Sequence, residues 1–306
     1  MIGRKQLLSF LLLLTPSIVL AHTAQCPANS TAIPFRFLGG SQIAIAVSIN
    51  HSGPYEFMVD TGAQLTIIDP RLAGELELKV QGSIGVVSVL NYAGADLVKA
   101  ELVEAGPASV RDLPIAVQGL SQIQAFNPGV RGILGENFLG RFDLLIDYSN
   151  KTICLDQTKE LENQMQGERV PLLERAERGG DLAYTTPMLV TVHVGGNGRK
   201  GTILNIDSGS SVPMLFVNRL DAPWWLQRDH ALRGNVAGKG AAPVFATMPS
   251  QKVEIGQHTS RQIAFLTPIN AESQMGRDGM DGLLPTSLFK SVFISYADHF
   301  VMFDPR

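Results

Sequence analysis

The 306-residue sequence has few of the features that mark several large classes of enzyme. Its six histidines form no H-E-x-x-H motif or comparable ligand spacing, which argues against a metal site. There is no G-x-S-x-G motif of a serine hydrolase. The net charge is −3, and no long basic run accompanies it. We therefore expect no metal, no serine nucleophile of that type and no nucleic-acid partner.

One stretch matches a cofactor-binding motif in sequence but lacks the secondary structure that the motif requires. Residues 196–201 match G-x-G-x-x-G and follow a predicted strand. A dinucleotide site requires a helix to begin there, so that its first backbone amides meet the pyrophosphate. The next residues, Thr202 to Ile206, are instead typical of a strand. A hairpin turn is the better interpretation, and no cofactor is predicted.

Long apolar runs are also scarce, and the one candidate lies at the N-terminus. Arg4 and Lys5 precede an apolar stretch that begins at Leu7. This pattern predicts a signal peptide over residues 1–21 and export to the periplasm or the exterior. The alternative is a retained membrane anchor, although the stretch is short for a span and contains Pro16. No stable membrane span is expected after the signal is removed.

Only two cysteines are present, Cys26 and Cys154. Export would place them in an oxidising compartment, where they can form a disulfide. Such a bridge would tie the start of the first half of the chain to its last strand. Two unpaired thiols remain the alternative.

The sequence does contain two similar acidic turns. Asp60 follows the apolar run Phe57 to Val59, and Asp207 follows Ile203 to Ile206. Aspartate is depleted in strands and favoured in turns, and the Gly two positions after each acid allows the backbone to fold back tightly. Each stretch therefore predicts a strand, an acid-bearing turn and a second strand. An ordinary turn acid is the competing interpretation of either stretch taken alone.

The two halves of the chain repeat one another in order. A Gly-apolar-apolar motif begins 72 residues after Asp60, at Gly132, and 75 residues after Asp207, at Gly282. A short helix with Phe and a closing hairpin follow in each half. This register indicates a duplicated domain. We expect a first lobe over residues 30–156, a connector over 157–181 and a second lobe over 182–306.

Two carboxyl groups brought together by such a duplication have a specific chemistry. Like charges raise one pKa, so the pair holds a single proton over a wide pH range. One acid can then accept a proton from water while the other donates to a carbonyl oxygen. Amide hydrolysis needs these two functions, and neither a metal nor a covalent nucleophile is required.

The paired Asp-Thr-Gly-Ala and Asp-Ser-Gly-Ser turns, with Gly-Ile-Leu-Gly and Gly-Leu-Leu-Pro about seventy residues later, resemble the pepsin/retropepsin superfamily of aspartic proteases. The chain is most similar to bacterial retropepsin-like proteins with two lobes in one chain, and the resemblance runs from about Ile33 to the C-terminus. It implies a mostly β, bilobal fold of two related β-barrel-like lobes with a cleft between them. High Gly and Pro contents, 30 and 17 residues, also favour a sheet-rich protein.

The resemblance also implies roles for individual residues. Asp60 and Asp207 would form the catalytic dyad of an endopeptidase that acts on peptides or proteins. Tyr92 matches, by position alone, an aromatic residue on a substrate-covering flap. Because both acids lie in one chain, a monomer is expected, with a homodimer unnecessary though possible. The remaining residues of the two active-site turns would be Thr61, Gly62, Ala63, Ser208, Gly209 and Ser210, with Thr61 and Ser208 bracing the turns against each other.

Two departures from the family pattern matter. The second half has Pro285 where the family usually has Gly, so the chain near the second acid is expected to differ. Ala63 lacks the hydroxyl that Ser210 offers. We hypothesise that Ser210 gives Asp207 an extra hydrogen bond and makes it the acid with the lower pKa. The alternative function is a peptide-binding or scaffold protein that keeps the fold without turnover, with Pro285 its most suspicious residue.

Overall fold

The computed structural model describes residues 26–88, 92–173, 188–195, 201–216, 231–233, 244–268 and 279–304. The predicted signal peptide lies outside these residues, as do residues 196–200 of the G-x-G-x-x-G match. The composition of Leu215 to Leu232 favours a helix, but both described ends of this stretch lie in strands, so a helix there is wrong at those ends. Residues 217–230 between them lie outside the described part. The short strands there pair with other parts of the second half, and this long-range pairing outweighs local helix preference.

Strands dominate the described residues. The first half contains β1 Thr31–Pro34, β2 Arg36–Leu38, β3 Gln42–Ile49, β4 Ser52–Val59, β5 Thr66–Ile68, β6 Val80–Val87, β7 Tyr92–Ala105, β8 Ala108–Val117, β9 Val130–Leu134, β10 Asp143–Asp147 and β11 Thr152–Asp156. The second half contains β12 Val170–Pro171, β13 Leu189–Val194, β14 Thr202–Asp207, β15 Met214–Leu215, β16 Ala231–Arg233, β17 Val244–Thr247, β18 Gln251–Ile255, β19 Thr259–Ile263, β20 Leu266–Pro268, β21 Gly282–Pro285, β22 Ser291–Ser295 and β23 Phe300–Asp304. The helices are short: α1 Pro70–Glu75, α2 Ser121–Gln124, α3 Glu136–Leu139, α4 Glu160–Gln164 and a 3-10 helix over Thr286–Leu288.

The strands form one sheet for each lobe and a third sheet that the two lobes share. The first lobe has the order β2-β3-β4-β9-β5-β8-β7-β6, and the second has β16-β17-β20-β15-β21-β14-β13-β18-β19. The shared sheet has the order β1-β11-β10-β22-β23-β12, and β10 pairs with β22 at its centre. The predicted mostly β, bilobal fold is confirmed.

Each acid lies at the end of a strand that pairs in parallel with the Gly-apolar-apolar strand of its own lobe. In the first lobe Phe57 is opposite Gly132, and this position requires glycine because a Cβ atom there would overlap the Phe57 ring. In the second lobe the pairing of β14 with β21 runs from Leu204 to Asp207, which is opposite Pro285. Pro285 is therefore the last residue of β21 and is still paired with β14. In the first lobe the equivalent pairing ends at Val59 and Leu134, one residue before Asp60, so the chain near the second acid differs from that near the first, as expected.

The predicted connector is partly structured. Residues 157–173 contain α4 and β12, and β12 joins the shared sheet beside β23. Although the segment is mostly polar, Leu161 and Val170 are buried in the core. These two apolar residues explain why the segment packs instead of remaining a free linker.

Cys26 and Cys154 form a disulfide, with their Cα atoms 5.5 Å apart. Cys154 lies in β11, in an apolar cluster that includes Leu161, Phe293 and Met302. The bond ties the first described residue to the shared sheet. A disulfide of this kind indicates an oxidising environment.

Removing this disulfide should destabilise the fold without touching the acids. The bond spans 128 residues, so Cys154→Ser should lower the free energy of unfolding by about 2–5 kcal/mol. The urea midpoint of the purified variant measures this loss. The Cys26→Ser, Cys154→Ser double variant is the control, because it should be no less stable than the single variant. A midpoint equal to that of the parent would contradict the structural role.

Among the residues that the structure describes, no helix has the length and apolar character needed to cross a bilayer.

Candidate active site

The structure brings the two predicted acids together from opposite lobes. Asp60 is half-buried just after β4, and Asp207 is buried at the end of β14. Their carboxyl groups are hydrogen-bonded to each other. Two chain segments 147 residues apart thus form one small polar site.

Backbone amides of the turns hold the carboxyl groups in place. The amides of Gly62 and Ala63 donate to Asp60 Oδ1 over 2.8 and 3.1 Å. In the second turn the amide of Ser210 donates to Asp207 Oδ1 over 2.8 Å. These hydrogen bonds favour the charged form of each acid and fix its orientation.

The glycine of each turn faces the acid of the other. A Cβ atom at Gly62 would lie 2.9 Å from Asp207 Cγ, and one at Gly209 would overlap the Asp60 carboxyl group. Real Cβ contacts are not that short, so both positions require glycine for close approach. The small residue in each motif is therefore needed for the acids to meet.

Thr61 and Ser208 join the two turns beneath the acids by four hydrogen bonds. Thr61 Oγ1 donates to the carbonyl of Ile206 over 2.8 Å and accepts from the amide of Ser208 over 3.0 Å. In the reciprocal arrangement, Ser208 Oγ donates to the carbonyl of Val59 over 2.9 Å and accepts from the amide of Thr61 over 3.0 Å. Both side chains are buried, so these bonds are shielded from water. The bracing implied for these two residues is present.

Burial raises the pKa of both acids above the ordinary range for aspartate. For Asp207 the negative charge of Asp60 raises the pKa further, to well above its usual value. Amides of the two turns, including those of Gly62 and Gly209, act in the opposite direction on Asp60. The arrangement favours a proton on Asp207 while Asp60 is ionised.

The hypothesis that Ser210 lowers the pKa of Asp207 is wrong. The Ser210 hydroxyl donates to the carbonyl of Val212 over 2.8 Å, within its own turn. Only the Ser210 amide reaches Asp207, and Ala63 supplies an equivalent amide to Asp60. The Ala63/Ser210 difference thus gives Asp207 no additional donor. Serine side chains in turns often form hydrogen bonds with nearby backbone groups, and for this reason the Ser210 hydroxyl bonds Val212 and not Asp207.

Several supporting residues have no signal in the sequence. Gln42 Nε2 donates across the lobes to the carbonyl of Gly209. Behind the first turn, Asn137 Oδ1 accepts from the amide and hydroxyl of Thr66, both over 2.8 Å. Thr66 Oγ1 in turn accepts from the amide of Gly135 over 3.2 Å. These contacts depend on the three-dimensional approach of distant segments, so no motif or spacing indicates them.

The position proposed for the flap lies on a hairpin. Tyr92 begins β7 and is opposite Val87, the last residue of β6. The tip at residues 89–91 lies outside the described residues. The hairpin is present, and a covering role for Tyr92 stays a prediction.

A cavity of about 980 Å³ lies on the first lobe, and its lining includes neither acid. Arg131 lines it and is paired with Asp69 over 2.7 Å and with Glu75 over 3.1 Å. The positive charge of Arg131 is therefore paired with carboxylates of the protein itself. Among the described residues, no group of three or more acidic, histidine or cysteine side chains could hold a metal ion.

A side chain at Gly209 should separate the acids. If the paired acids cleave peptides, as the sequence predicts, Gly209→Ala should reduce that cleavage at least about 100-fold, because small displacements of reacting groups have effects of that size. A fluorogenic peptide assay on the folded variant measures the loss. Gly74→Ala is the matched control, since a Cβ there meets nothing within 4 Å and activity should be unchanged. Equal activity of Gly209→Ala and the parent would contradict the close approach.

Comparisons with known proteins bear on the fold and on part of the first lobe. Residues 45–141 match the family described as "gag-polyprotein putative aspartyl protease". Among solved structures, the aspartic proteinase from Irpex lacteus matches with a TM-score of 0.52 and 10% identity, over 90% of this chain and 97% of that chain. A retropepsin-like aspartic protease from Rickettsia conorii matches with a TM-score of 0.30 and 20% identity, over 41% of this chain and 89% of that chain. A search of curated proteins finds no match.

Proposed function

We propose that the chain is an aspartic endopeptidase that uses Asp60 and Asp207 as its catalytic dyad; the family match over residues 45–141 and the likeness in fold to an aspartic proteinase support this. The observation that carries the proposal is the hydrogen-bonded pair of carboxyl groups, one from each lobe. The braced turns beneath them support it, since they hold both acids in a fixed relation. Peptides or proteins are the proposed substrates, and no metal or cofactor is needed.

The pKa directions suggest how the work is divided. Ionised Asp60, held by backbone amides, accepts a proton from a water molecule as that water attacks the peptide carbonyl carbon. Asp207 carries the shared proton and donates it to the carbonyl oxygen. When the C–N bond breaks, the proton that Asp60 has gained passes to the leaving amine. Asp207 takes back a proton from a hydroxyl group of the tetrahedral intermediate as it collapses to the carboxylic acid, so the pair returns to its singly protonated state.

We further propose that the chain acts as an exported monomer. The predicted signal peptide over residues 1–21 supports export, and the Cys26–Cys154 disulfide supports an oxidising compartment, periplasmic or external. The lobes over residues 30–156 and 182–306 each supply one acid, with residues 157–181 between them. A second subunit is therefore unnecessary for the site. Tyr92, at the end of its hairpin, is the proposed flap residue.

A binding protein without turnover is the weaker candidate. This alternative was suggested by Pro285, the residue that departs from the family pattern. Pro285 is nevertheless paired opposite Asp207 as part of β21, so it does not displace the strand that supports the second acid. Two assays separate the candidates: peptide cleavage from acidic to neutral pH, and binding of a peptide whose hydroxyl group mimics the transition state. Cleavage that the hydroxyl peptide blocks supports the endopeptidase. Tight binding of that peptide without any cleavage would overturn it.

A further inference from the structure

Gln42 connects the first lobe to the acid-bearing turn of the second. It is the first residue of β3 and lies opposite Leu38, at the base of the tight hairpin that joins β2 to β3. β3 pairs with β4, the strand that leads to Asp60, so the backbone of Gln42 belongs to the framework of the first acid. Its side-chain Nε2 donates to the carbonyl of Gly209, 167 residues further along the chain. A side chain of the first lobe therefore contacts the turn that holds the second acid.

The Gly209 carbonyl and the Ser210 amide belong to one peptide group. Gln42 donates to the oxygen of this group, and the N–H of the same group donates to Asp207 Oδ1 over 2.8 Å. A continuous chain of hydrogen bonds thus runs from Gln42 through one planar peptide to the Asp207 carboxyl group. In such chains each hydrogen bond polarises the next and strengthens it by about 10–30%. A donor at the carbonyl oxygen should therefore make the Ser210 amide a stronger donor to Asp207.

The same contact restrains the orientation of this peptide. Because a peptide group is planar, a rotation that moves its oxygen away from Gln42 also turns its N–H away from Asp207. The turn requires glycine at position 209, since a Cβ atom there would overlap the Asp60 carboxyl group. Glycine gives the backbone its greatest conformational freedom. Gln42 thus restrains, from the opposite lobe, a turn whose own sequence leaves it mobile.

The first acidic turn is held in a different way. The equivalent peptide joins Gly62 to Ala63, whose amide donates to Asp60 Oδ1 over 3.1 Å. Among the described residues, no side chain donates to the Gly62 carbonyl. The next carbonyl, that of Ala63, accepts from the Glu136 amide of the same lobe over 2.8 Å. The donor that crosses between the lobes therefore acts on Asp207 and has no counterpart at Asp60.

The charged groups around the pair do not include Gln42. The negative charge of Asp60 raises the pKa of Asp207, and the amides of Gly209 and Ser210 act in the opposite direction. Tyr296 lies within electrostatic reach of Asp60 and of Glu136. Replacing Gln42 with another neutral residue leaves all of these charges unchanged. A shift in the titration of the acids would then report on the chain of hydrogen bonds.

We propose that Gln42 is a positioning residue that acts across the lobes: by donating to the Gly209 carbonyl, it orients and polarises the peptide whose amide holds Asp207, so that contact between the lobes favours the ionised form of that acid. Without this donor, Asp207 keeps its proton to higher pH. The inference deepens the proposed function and rests on it, because it gives Gln42 a part in the proton equilibrium of the same two acids.

The pH profile of kcat/KM tests the role of Gln42. Gln42→Met keeps the length of the side chain and removes the donor. The alkaline limb should move to higher pH by about half a unit, because the Ser210 amide then stabilises ionised Asp207 less well. The acid limb should not move, since Asp207 is protonated on both sides of that ionisation. At the optimum, kcat should fall about 10-fold with little change in KM, because the acid is less firmly oriented.

Gln124 supplies a matched control. Its Nε2 also donates to a backbone carbonyl, that of Val130 over 2.9 Å, but within the first lobe and beside the cavity whose lining includes neither acid. Gln124→Met makes the same chemical change and should leave kcat and both limbs as they are in the parent. An unmoved alkaline limb in Gln42→Met, or an equal shift in Gln124→Met, would overturn the proposal.

Gln42→Glu separates the donated hydrogen bond from side-chain packing. A glutamate carboxyl group can donate only while it is protonated, and its ordinary pKa is about 4.3. Below about pH 4, kcat/KM of Gln42→Glu should therefore approach that of the parent, whereas Gln42→Met should remain slower. Equal deficits of the two variants at that pH would mean that no donated hydrogen bond is involved, and the proposal would fail.

Failure of the proposed function can be distinguished from failure of this inference. If the parent cleaves no peptide, the endopeptidase proposal fails, yet carbon-13 NMR can still titrate the carboxyl groups of Asp60 and Asp207. In that measurement Gln42→Met should raise the upper apparent pKa of the pair. An unchanged titration in the folded variant would overturn the role of Gln42 whether or not the protein cleaves peptides.

Discussion

Asp60→Asn and Asp207→Asn should each reduce kcat/KM for peptide cleavage by at least about 1,000-fold, towards the upper range for loss of general acid–base catalysis. Asparagine keeps the shape of each side chain but cannot carry or share the proton. A protease assay on protein with an unchanged circular dichroism spectrum measures the loss. A stoichiometric titration with the hydroxyl peptide should show that the folded variants, not trace contaminants, are being tested.

The two substitutions should not be additive. Because the acids act as one proton-sharing unit, the double variant should be no slower than the slower single variant, within error. Independent losses that multiply in the double variant would mean that the acids serve separate steps. Cleavage that survives both substitutions would remove the dyad from the mechanism.

Asp207→Asn should also differ from the parent in stability, and the difference should grow as the pH rises. The pKa of Asp207 is raised in the folded state, so the folded chain binds more protons than the unfolded chain. Stability of the parent should therefore fall as pH rises from about 4, the ordinary aspartate value, through the raised folded pKa. Asp207→Asn should be more stable than the parent at neutral pH, and the difference should disappear below about pH 4, where Asp207 is neutral in both states. Urea midpoints at the two pH values measure this difference.

Thr61→Val should destabilise the junction of the lobes and reduce activity together. Valine has the shape of threonine, but it leaves the amide of Ser208 and the carbonyl of Ile206 without their partner in a buried site. Each unpaired group costs about 1–3 kcal/mol, so the two together should lower the unfolding free energy by about 2–6 kcal/mol. Because the acids depend on this brace for their spacing, kcat/KM should also fall, by about 100-fold.

Matched variants show whether the loss belongs to the brace. Ser208→Ala removes the reciprocal pair of bonds and should have a similar effect. Thr191→Val, on an exposed position of β13, makes the same chemical change and should alter stability by less than about 0.5 kcal/mol. Equal stability of Thr61→Val and Thr191→Val would contradict the role of the brace.

Much of the fold could be predicted from the sequence because it depends on local pattern and internal repetition. The apolar runs Ile43 to Ile49 and Phe142 to Asp147 form strands, and the short helix expected after the first Gly-apolar-apolar motif is α3 over Glu136–Leu139. Alternating or continuous apolar runs bounded by Gly, Pro and Asn predict such elements well. The repeat then predicts that two similar lobes place two acids in related positions.

The remaining features depend on contacts between distant segments. The Leu215 to Leu232 stretch looks helical by composition, yet its described ends belong to β15 and β16 because those strands find partners elsewhere in the sheet. The hydroxyl of Ser210 was predicted to serve the acid and instead bonds within its turn. Among the described residues the Tyr296 hydroxyl has no hydrogen-bond partner, whereas the hydroxyl of Tyr148, at the related position of the first lobe, pairs with Thr286. No sequence pattern indicates this difference.

The pH dependence of kcat/KM for one cleaved peptide tests the central claim most directly, because two acids that share one proton must be active only while singly protonated. The account predicts a bell-shaped profile for the parent, with one ionisation on each limb, and no residual bell in Asp60→Asn or Asp207→Asn. A profile with a single limb, or a bell that persists when either acid is replaced, would contradict the shared-proton dyad.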